Sequence, residues 1–379
     1  MSKLEELIEQ YCPDGVEWKP LAECCNILDG KRKPITKGAR QSGPYPYYGA
    51  NGIQDWVADY IFDGTYVLIG EDGSVITPNG TPIVNWAHGK IWVNNHAHII
   101  AETTGVLLRF LFYYIQIIDI HNLVHGNIPK LTQGDLKEIE IPVPPLPVQE
   151  EIVRILDAFT ELQAELQAEL QKRKQQYNYY LDNLLNFKDI NRGGYQAEVR
   201  WMKIGDICDV FTGGEVPMGS IKGNTSFGSF IYPIWGNGKD IYGYATTYQI
   251  DKDAVCISSI GANSGAVFFH KAYFTPIIRL KVLIPRNQGI SVRYLFYILS
   301  FVGFDVKKSS VPNMNSNEVK QKVIPIPSLV EQQRIVSILD RFDTLTTDLT
   351  QGLPAEIEKR RQQYEYYRDK LLTFKRKGA

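Results

Sequence analysis

The sequence predicts an α+β protein in which two mixed α/β domains are joined by two long antiparallel coiled-coil helices, with an internal pseudo-twofold repeat. Two observations carry this prediction. Two helical blocks of closely similar sequence stand about half a chain apart, and each has an apolar stripe at helical spacing. Each block also follows a region rich in glycine, asparagine and proline, with short β-type runs.

The internal repeat is clearest in two ungapped alignments. Residues 141–159 match residues 324–342 at 11 of 19 positions, and residues 172–187 match residues 359–374 at 11 of 16 positions. Weaker matches at an offset of 183 residues extend the repeat upstream: Trp18 with Trp201, Leu21 with Ile204, and Cys25 with Cys208. A duplication explains these matches. Between them the two halves differ almost completely, so a shared scaffold carries two different surfaces.

The first long helix is predicted over residues 148–186, where apolar residues recur every three or four positions from Ile152 onward. This spacing is close to that of a coiled-coil seam, and the helix would be about 60 Å long at 1.5 Å per residue. The prolines of residues 141–147 predict an extended lead-in that ends where the helix starts. The second helix begins near Glu331, and Pro354 predicts a kink or break within it.

The regions around the helices combine short β-type runs with one apolar helix each. The runs are residues 66–69, 91–93, 255–258 and 266–269, and the helical segments are residues 106–118 and 292–301. Such mixtures predict α/β domains with loop-rich surfaces. The predicted parts are an N-terminal domain (1–146), a first long helix (147–190), a C-terminal domain (191–329) and a second long helix (330–379).

Composition excludes several classes of protein. Hydrophobic residues make up 44% and charged residues 22% of the chain, as in globular proteins. The sequence lacks an apolar run of the roughly 18 to 20 residues that a membrane helix needs, and residues 1–10 do not resemble a signal peptide. We therefore expect a cytoplasmic protein that does not contact a membrane.

Cysteine number and net charge narrow the chemistry further. The five cysteines are an odd number and include no Cys-x-x-Cys pair, which predicts buried free thiols rather than disulfides or a zinc site. The net charge is −1. Any affinity for DNA must therefore come from local basic clusters or from a partner that shares the contact.

The duplication itself favours DNA recognition. Two long helices with apolar stripes can bury them on each other, and antiparallel pairing would place one domain at each end. Duplex DNA has matching dyads, so two-fold proteins read half-sites about one helical turn apart. A duplicated single chain can carry two different readers, so its site need not be palindromic.

The order of variable domain, Ile-Pro-x-Pro-x-Leu lead-in and long helix ending in Lys/Arg-Gln-Gln-Tyr, given twice, resembles the specificity subunits of type I restriction-modification systems. The resemblance covers the whole chain. Its most specific element is Leu146 and Gln149 followed by Ile152, repeated as Leu329, Gln332 and Ile335. It implies a non-catalytic subunit whose two target recognition domains read the halves of a split, asymmetric site in double-stranded DNA.

The resemblance also implies partners. Two methyltransferase subunits would dock on the helices and bring S-adenosylmethionine, so no cofactor is expected on this chain, and restriction subunits that translocate DNA can join that core. The sequence has neither a phosphate-binding loop nor an Asn/Asp-Pro-Pro-aromatic methyltransferase motif. Two alternatives stay open: a specificity subunit for a type IIB-like fused methyltransferase-nuclease, and a coiled-coil adaptor that joins two proteins without DNA.

Candidate DNA contacts lie in both variable regions. The first has a basic loop, in which Arg32 could reach a base edge and the other cations could bind phosphates: Lys31, Arg32, Lys33, Lys37 and Arg40. Its further candidates are Tyr47, Asn51, His88, Lys90, Asn94, Asn95 and His96. The second region lacks the basic cluster, and its candidates are Lys222, Asn224, Asn237, Lys239, Ser259 and Asn263.

Each candidate has a plainer interpretation. The basic loop can be a solvated surface loop, and the polar residues around His96 can serve the fold alone. His96 and His98 point the same way on a strand, but no cysteine or carboxylate stands at ligand spacing beside them. We therefore expect no metal site.

Overall fold

The computed structural model describes residues 3–187, 199–304, 314–348 and 350–378. The chain divides into two compact units. The first consists of Met1–Gln167 together with Ile357–Ala379, and the second is Ala168–Glu356. Each unit therefore combines one variable region with parts of both helical blocks.

The helices of the described residues are α1 (Lys3–Tyr11), α2 (Leu21–Cys24), α3 (Leu108–Ile115), α4 (Gln133–Glu138), α5 (Leu146–Leu185), α6 (Ile204–Ile207), α7 (Val292–Val302), α8 (Ser316–Gln321), α9 (Leu329–Thr347) and α10 (Leu353–Leu371). The strands of the first unit are β1 (Glu17–Pro20), β2 (Asn26–Ile27), β3 (Ser42–Gly49), β4 (Gly52–Val57), β5 (Phe62–Gly70), β6 (Val84–Val93), β7 (Ala97–Ala101), β8 (Val124–His125), β9 (Lys130–Leu131) and β10 (Glu140–Val143). Those of the second unit are β11 (Arg200–Lys203), β12 (Cys208–Thr212), β13 (Ile221–Lys222), β14 (Tyr232–Trp235), β15 (Ile241–Ala245), β16 (Ala254–Ile257), β17 (Val267–His270), β18 (Thr275–Pro276), β19 (Lys281–Pro285) and β20 (Val323–Ile326).

A six-stranded sheet of order β2-β7-β5-β6-β3-β4 organises the first unit. Its strands pair antiparallel except for β3 and β6, which run parallel. One hydrophobic cluster joins Val67 and Ile100 of this sheet to α3 and to Ile152 of α5. A second cluster, with Leu68 and Ile99, fills the opposite side of the same strands. Successive side chains of the same strands thus pack into two hydrophobic cores, one on each face of the sheet.

Two four-stranded sheets, β12-β19-β16-β17 and β13-β15-β14-β18, organise the second unit. The core of this unit gathers Val255 and Leu283 from the first of these sheets, Tyr297 from α7 and Leu339 from α9. The predicted β-type runs and apolar helices of both variable regions are therefore present as α/β domains.

The duplication extends into the strand pairing. In the first unit Trp18 pairs with Pro142 and Ile27 with Ile100. In the second unit Trp201 pairs with Pro325 and Val210 with Leu283. Each residue is 183 positions from its counterpart, so the internal repeat predicted from sequence is confirmed at the level of strand register.

The two helical blocks pair as the sequence predicts. In the first unit, Phe159 of α5 stacks on Tyr367 of α10 with ring centroids 5.6 Å apart. In the second unit, Tyr177 of α5 stacks on Phe342 of α9 at 6.2 Å. The early part of α5 thus lies beside the late part of the other block, and its late part beside the early part, as antiparallel pairing requires.

The helix boundaries follow the prolines with one difference from expectation. The predicted break is present, because α9 ends at Thr347 and α10 starts at Leu353. A Cβ at Gly352 would lie 2.5 Å from the carbonyl oxygen of Thr344, so the turn needs glycine there. The first long helix, in contrast, starts one residue before Pro147 rather than after it. A proline is tolerated in a first turn, where its missing N–H has no intrahelical partner.

The cysteines agree with a further expectation. All five cysteines are free and buried. Burial raises the pKa of the thiols of Cys25 and Cys208 to about 12, which leaves them inert. Among the described residues, none of the helices combines the length and the hydropathy that crossing a membrane would require.

Candidate nucleic-acid interface

The basic loop of the first unit, residues 28–41, is held in place by Arg32. Its guanidinium donates hydrogen bonds to the Glu71 carboxylate at 2.5 Å and to the carbonyl oxygen of Ala97 at 2.7 Å. Its Nε donates to the carbonyl oxygen of Asp29 at 2.9 Å. The arginine expected to reach a base edge is therefore turned into the domain, where it fixes the loop to the sheet.

A buried polar pair lies beside that arginine. His98 places Nδ1 2.6 Å from the Asp29 carboxylate and Nε2 2.9 Å from the carbonyl oxygen of Leu131. The carbonyl oxygen can only accept, so Nε2 donates to it, and Nδ1 lies within hydrogen-bond distance of the carboxylate. Burial acts to raise the pKa of Asp29, but hydrogen bonds from His98, the Ile99 N–H and Gln133 outweigh it and lower that pKa.

Asp29, Glu71 and His98 also bring one potential metal-ligand atom each within 4.8 Å of one another. Sequence spacing missed this cluster because the two carboxylates come from distant segments. Arg32 forms ion pairs with both of them, at 3.4 Å to Asp29 and 2.5 Å to Glu71. With a guanidinium already between the carboxylates, the donor set fits an ion-pair network better than a metal centre.

Arg40 and Tyr47 anchor the second half of the basic loop. The Arg40 guanidinium lies 4.1 Å from the centre of the Tyr47 ring, and its Nε donates to the carbonyl oxygen of Ile35 at 3.1 Å. The Tyr47 hydroxyl accepts from the Ile35 N–H at 3.0 Å, and the ring is buried. Trp92 adds a third anchor, donating from Nε1 to the carbonyl oxygen of Lys33 at 2.6 Å.

The lysines of the loop, unlike its arginines, point away from the domain. The side chains of Lys31, Lys33 and Lys37 are exposed, and none forms an ion pair with any residue in the part of the chain that the structure describes. Arginines and aromatic rings therefore build the loop, while the lysines give it a positive surface without ion pairs among the described residues.

The other candidates of the first unit divide into exposed and internal residues. The exposed ones are Asn51, His88, Lys90, Asn95 and His96. Lys90 lies over the Tyr60 ring at 4.6 Å, and His88 is hydrogen-bonded to Thr65 at 2.8 Å. His96 pairs with Asp72 through Nδ1. Asn94, by contrast, is buried, and its side-chain oxygen accepts from the His96 N–H at 2.8 Å.

In the second unit, Asn237 and Ser259 hold loops together. Asn237 accepts from the Ser259 N–H at 2.8 Å through Oδ1 and donates to the carbonyl oxygen of Ile278 through Nδ2. Ser259 is fully buried and donates from Oγ to the carbonyl oxygen of Arg279 at 2.7 Å. Asn263 reaches the same cluster, donating to the carbonyl oxygen of Asn237 at 3.2 Å.

Lys222, Asn224, Lys239 and Asn263 are the exposed candidates of the second unit. An open cleft of about 400 Å³ brings Lys222, Asn224 and Asn237 beside Ile278. Lys222 lies 5.5 Å from the centre of the Tyr242 ring, an arrangement like that of Lys90 over Tyr60. The cleft thus brings together three of the six candidates of this unit, whereas Lys239, Ser259 and Asn263 do not line it.

Sequence reasoning missed the contacts that seat each domain on its long helix. Gln149 is fully buried, donates from Nε2 to the carbonyl oxygens of Gly105 and Pro144, and accepts from the Leu107 N–H. Its counterpart Gln332 makes the same three contacts, with Gly289, Pro327 and Ser291. The glutamine of the repeated motif is therefore a fixed joint between helix and domain.

A second duplicated contact lies about two turns further along the helix. Arg109 pairs with Asp157 at 2.7 Å, and the Tyr113 hydroxyl donates to the same carboxylate at 2.5 Å. In the second unit, Arg293 pairs with Asp340 at 2.5 Å and the Tyr297 hydroxyl donates at 2.6 Å. The signal was readable, because Arg-x-Leu-Phe-Tyr recurs at Arg109 and Arg293 at nearly the same offset as the rest of the repeat.

The two units thus share one scaffold and present two unlike surfaces, as a duplicated protein does. The family model of the type I restriction modification DNA specificity domain matches the chain twice, over residues 13–193 and 196–359. The specificity subunit of the Escherichia coli type I restriction enzyme EcoR124I/EcoR124II is 36% identical over 99% of this chain and 97% of its own. That of the E. coli enzyme EcoprrI is 32% identical over 93% of this chain and 92% of its own.

A solved structure has the same fold. The crystal structure of a type I restriction-modification S subunit from M. genitalium has a TM-score of 0.68 to this chain at 18% identity, covering 94% of this chain and 95% of that one. The chain therefore belongs to the family of type I restriction-modification DNA specificity subunits, and it is a non-catalytic subunit. The family and the fold class predicted from sequence are confirmed.

Proposed function

We propose that this protein recognises a split, asymmetric site in double-stranded DNA, in the cytoplasm, and reads one half-site with each variable domain. The reading domains are residues 1–146 and 191–329, and the long helices are residues 147–190 and 330–379. Two methyltransferase subunits dock on those helices and supply S-adenosylmethionine, and restriction subunits can join them. The chain itself carries no cofactor.

One observation supports this proposal above the others. Strand register repeats between the units at an offset of 183 residues, yet the exposed side chains at corresponding positions differ. A scaffold that is kept while its surfaces diverge is what two independent readers of unlike sequences need. The almost end-to-end similarity to specificity subunits of type I enzymes favours this partner set over a fused methyltransferase-nuclease.

The exposed side chains are the proposed direct contacts. In the first domain these are Lys31, Lys33, Lys37, Asn51, His88, Lys90, Asn95 and His96, and in the second Lys222, Asn224, Lys239 and Asn263. Lysines would bind phosphates, and amides and imidazoles would reach base edges. The remaining candidates position the loops, because none of them is exposed and their polar groups bond within the domain: Arg32, Arg40, Tyr47, Asn94, Asn237 and Ser259.

Replacement of one domain tests the proposal. Residues 14–140 are exchanged for the corresponding segment of another family member, the chimera is expressed with its methyltransferase subunits, and the methylated motif is mapped by sequencing. Since the shared flanks keep the scaffold intact, we expect one half of the motif to change and the other to persist. A simultaneous change in both halves would contradict two independent readers.

Salt dependence separates DNA recognition from the adaptor alternative. Each neutralised phosphate contributes a slope of about −0.9 to the logarithm of affinity against the logarithm of salt concentration. We expect a steep slope and sequence selectivity for the complex with methyltransferase, and weak binding by the chain alone because its net charge is only −1. A complex that shows neither salt dependence nor DNA binding would favour the adaptor.

A further inference from the structure

A turn of the second unit holds two side chains in a backbone conformation that they rarely adopt. Ile278 has φ 51° and Arg279 has φ 59°, and the Leu280 N–H donates to the carbonyl oxygen of Ile277 at 3.1 Å. Two central residues with positive φ define a type I′ turn, for which asparagine and glycine are preferred. A β-branched residue and an arginine at these positions cost conformational free energy.

Every backbone N–H and carbonyl group of Ile278 and Arg279 has a hydrogen-bond partner, and these bonds keep the two residues at positive φ. The Ile278 N–H donates to the carbonyl oxygen of Gly214 at 2.8 Å, and the Arg279 N–H to that of Gly213 at 3.0 Å. The carbonyl oxygen of Ile278 accepts from Asn237, and that of Arg279 accepts from Ser259. Asn237 and Ser259, two residues predicted to touch DNA, thus hold this turn instead.

Glycine at position 213 makes the close packing possible. A Cβ on Gly213 would lie 2.8 Å from the backbone nitrogen of Ile277, so a larger residue would push the turn away. The surrounding loops therefore hold the turn in a strained conformation through several independent contacts. Strain that is held in this way is common at functional positions.

The side chains that this turn presents are free to meet a ligand. Ile278 is 43% exposed and borders the cleft that contains Lys222 and Asn224. Arg279 is exposed, and it forms no ion pair with any residue that the structure describes. Strain that displays a guanidinium without an ion-pair partner beside this cleft has no evident benefit for the stability of the domain.

The corresponding turn of the first unit has different side chains. By the 183-residue offset of the strand register, Ile278 corresponds to Asn95 and Arg279 to His96. Both of those residues are exposed as well. Equivalent positions of the two units thus present unlike exposed groups, as expected where two domains discriminate different bases. Among the described residues, the positive φ occurs at these positions only in the second unit.

We propose that Arg279 is a specificity-determining residue that reads a guanine in the half-site of the second unit. This inference rests on the proposed DNA-reading function. The planar guanidinium can donate two parallel hydrogen bonds to O6 and N7 of guanine in the major groove, which is the commonest specific contact of arginine with DNA.

Two substitutions of Arg279 test this role in the complex with methyltransferase subunits. Arg279→Gly fits the positive φ and removes the guanidinium, and Arg279→Lys keeps the charge but loses the paired donors. For both variants we expect preference for guanine to fall at least about tenfold at one base pair of one half-site, with the other half-site unchanged. Methylome sequencing and competition binding measure this preference.

Thermal unfolding of the same variants distinguishes a reader from a structural residue. Arg279→Gly relieves strain, so its melting temperature should equal or exceed that of the parent. A structural role predicts a lower melting temperature and an unchanged motif. The matched control is Ile278→Gly, which relieves similar strain but keeps the guanidinium, and we expect it to retain the guanine preference.

The outcomes separate this inference from the function on which it rests. An unchanged motif in Arg279→Gly would overturn the reading role, even if exchange of residues 14–140 still changed one half-site. A motif that Arg279→Lys retains in full would make Arg279 a phosphate contact and would also overturn it. Failure of the domain exchange itself would instead contradict the proposed function.

Discussion

Asp29 and His98 in the first unit correspond to Thr212 and Lys281 in the second, at the same offset as the strand pairing. Asp29 lies 2.6 Å from His98, whereas Lys281 donates to the Thr212 hydroxyl at 3.2 Å. Both pairs are close to the turn that precedes the strand, and His98 and Lys281 are both buried. The two units therefore share the same backbone pairing at these positions but have different buried polar side chains.

The two variable regions also differ in the groups that hold their surface loops in place. In the first unit, the buried pair continues into Arg32 and Glu71, so charged groups hold the basic loop. In the second unit, neutral side chains hold the strained turn, namely Asn237 and Ser259. We conclude that the duplicated halves share the same glutamine joint to the helices but differ in how the loops of their variable regions are held.

The largest expected effect comes from lengthening the shared helix. Four residues inserted within residues 161–169 add about 6 Å to α5, close to two base-pair steps of 3.4 Å. Four residues also make slightly more than one turn, so the apolar stripe rotates only modestly. We expect both half-sites to persist and the unread gap between them to widen by one or two base pairs, measured by methylome sequencing.

The chain offers a natural precedent for that insertion. Its second helical block carries four more residues between the matching segments than the first does, around the break before Leu353. An active variant with an unchanged gap would show that α5 does not set the spacing.

The next largest effect concerns the joint that the two units share. Gln149→Ala and Gln332→Ala each leave a backbone N–H and two carbonyl oxygens without their partner. We expect each to lower the free energy of unfolding by about 3 kcal/mol, as measured by urea denaturation. The exposed neighbours supply controls, since Glu150→Ala and Gln333→Ala should change it by less than about 0.5 kcal/mol. If the two substitutions lower the free energy of unfolding by clearly different amounts, the two joints are not equivalent.

A smaller effect, which depends on pH, is expected for the buried pair Asp29 and His98 of the first unit. The pKa of Asp29 is lowered in the folded state, so its stabilising contribution is present above the pKa of the unfolded chain, about 3.9. That contribution is lost as pH falls through the lower folded pKa. Asp29→Asn should therefore destabilise the protein by about 1–3 kcal/mol at pH 7, with the difference from the parent narrowing below pH 4.

Unfolding free energies measured from pH 7 to pH 3 test this behaviour. Asp14→Asn is the control, because Asp14 is exposed. A constant difference between Asp29→Asn and the parent across this range would indicate that the ionised carboxylate is not what stabilises the loop.

The smallest effect is expected at the counterpart in the second unit. Burial lowers the pKa of Lys281, and the charge of Arg279 lowers it further. The folded state therefore gains stability as pH rises through the lowered pKa toward the usual 10.5. Lys281→Met should change the free energy of unfolding by less than about 1 kcal/mol at pH 7 and should abolish the alkaline rise. A rise that persists in this variant would have to come from another group.

Local patterns in the sequence were enough to predict the scaffold. The spacing of apolar residues from Ile152 onward specifies a long helix, and Pro354 specifies the break in its counterpart, because helix geometry and proline stereochemistry act over a few residues. The repeat predicts that the two halves share a plan, and the family follows from its motifs. The prolines before α5 were placed too strictly outside the helix, because Pro147 fits its first turn.

Only the tertiary structure decided which polar residues face outward. Arg32 looked like the best base reader, yet its partner Glu71 is 39 residues away, and no local pattern announces that pairing. No sequence motif singled out Arg279. Its proposed role depends on a positive φ, which Gly213, Asn237 and Ser259 impose from other segments. Burial and hydrogen-bond partnership are set by residues distant in sequence, so they emerge only when the chain is folded.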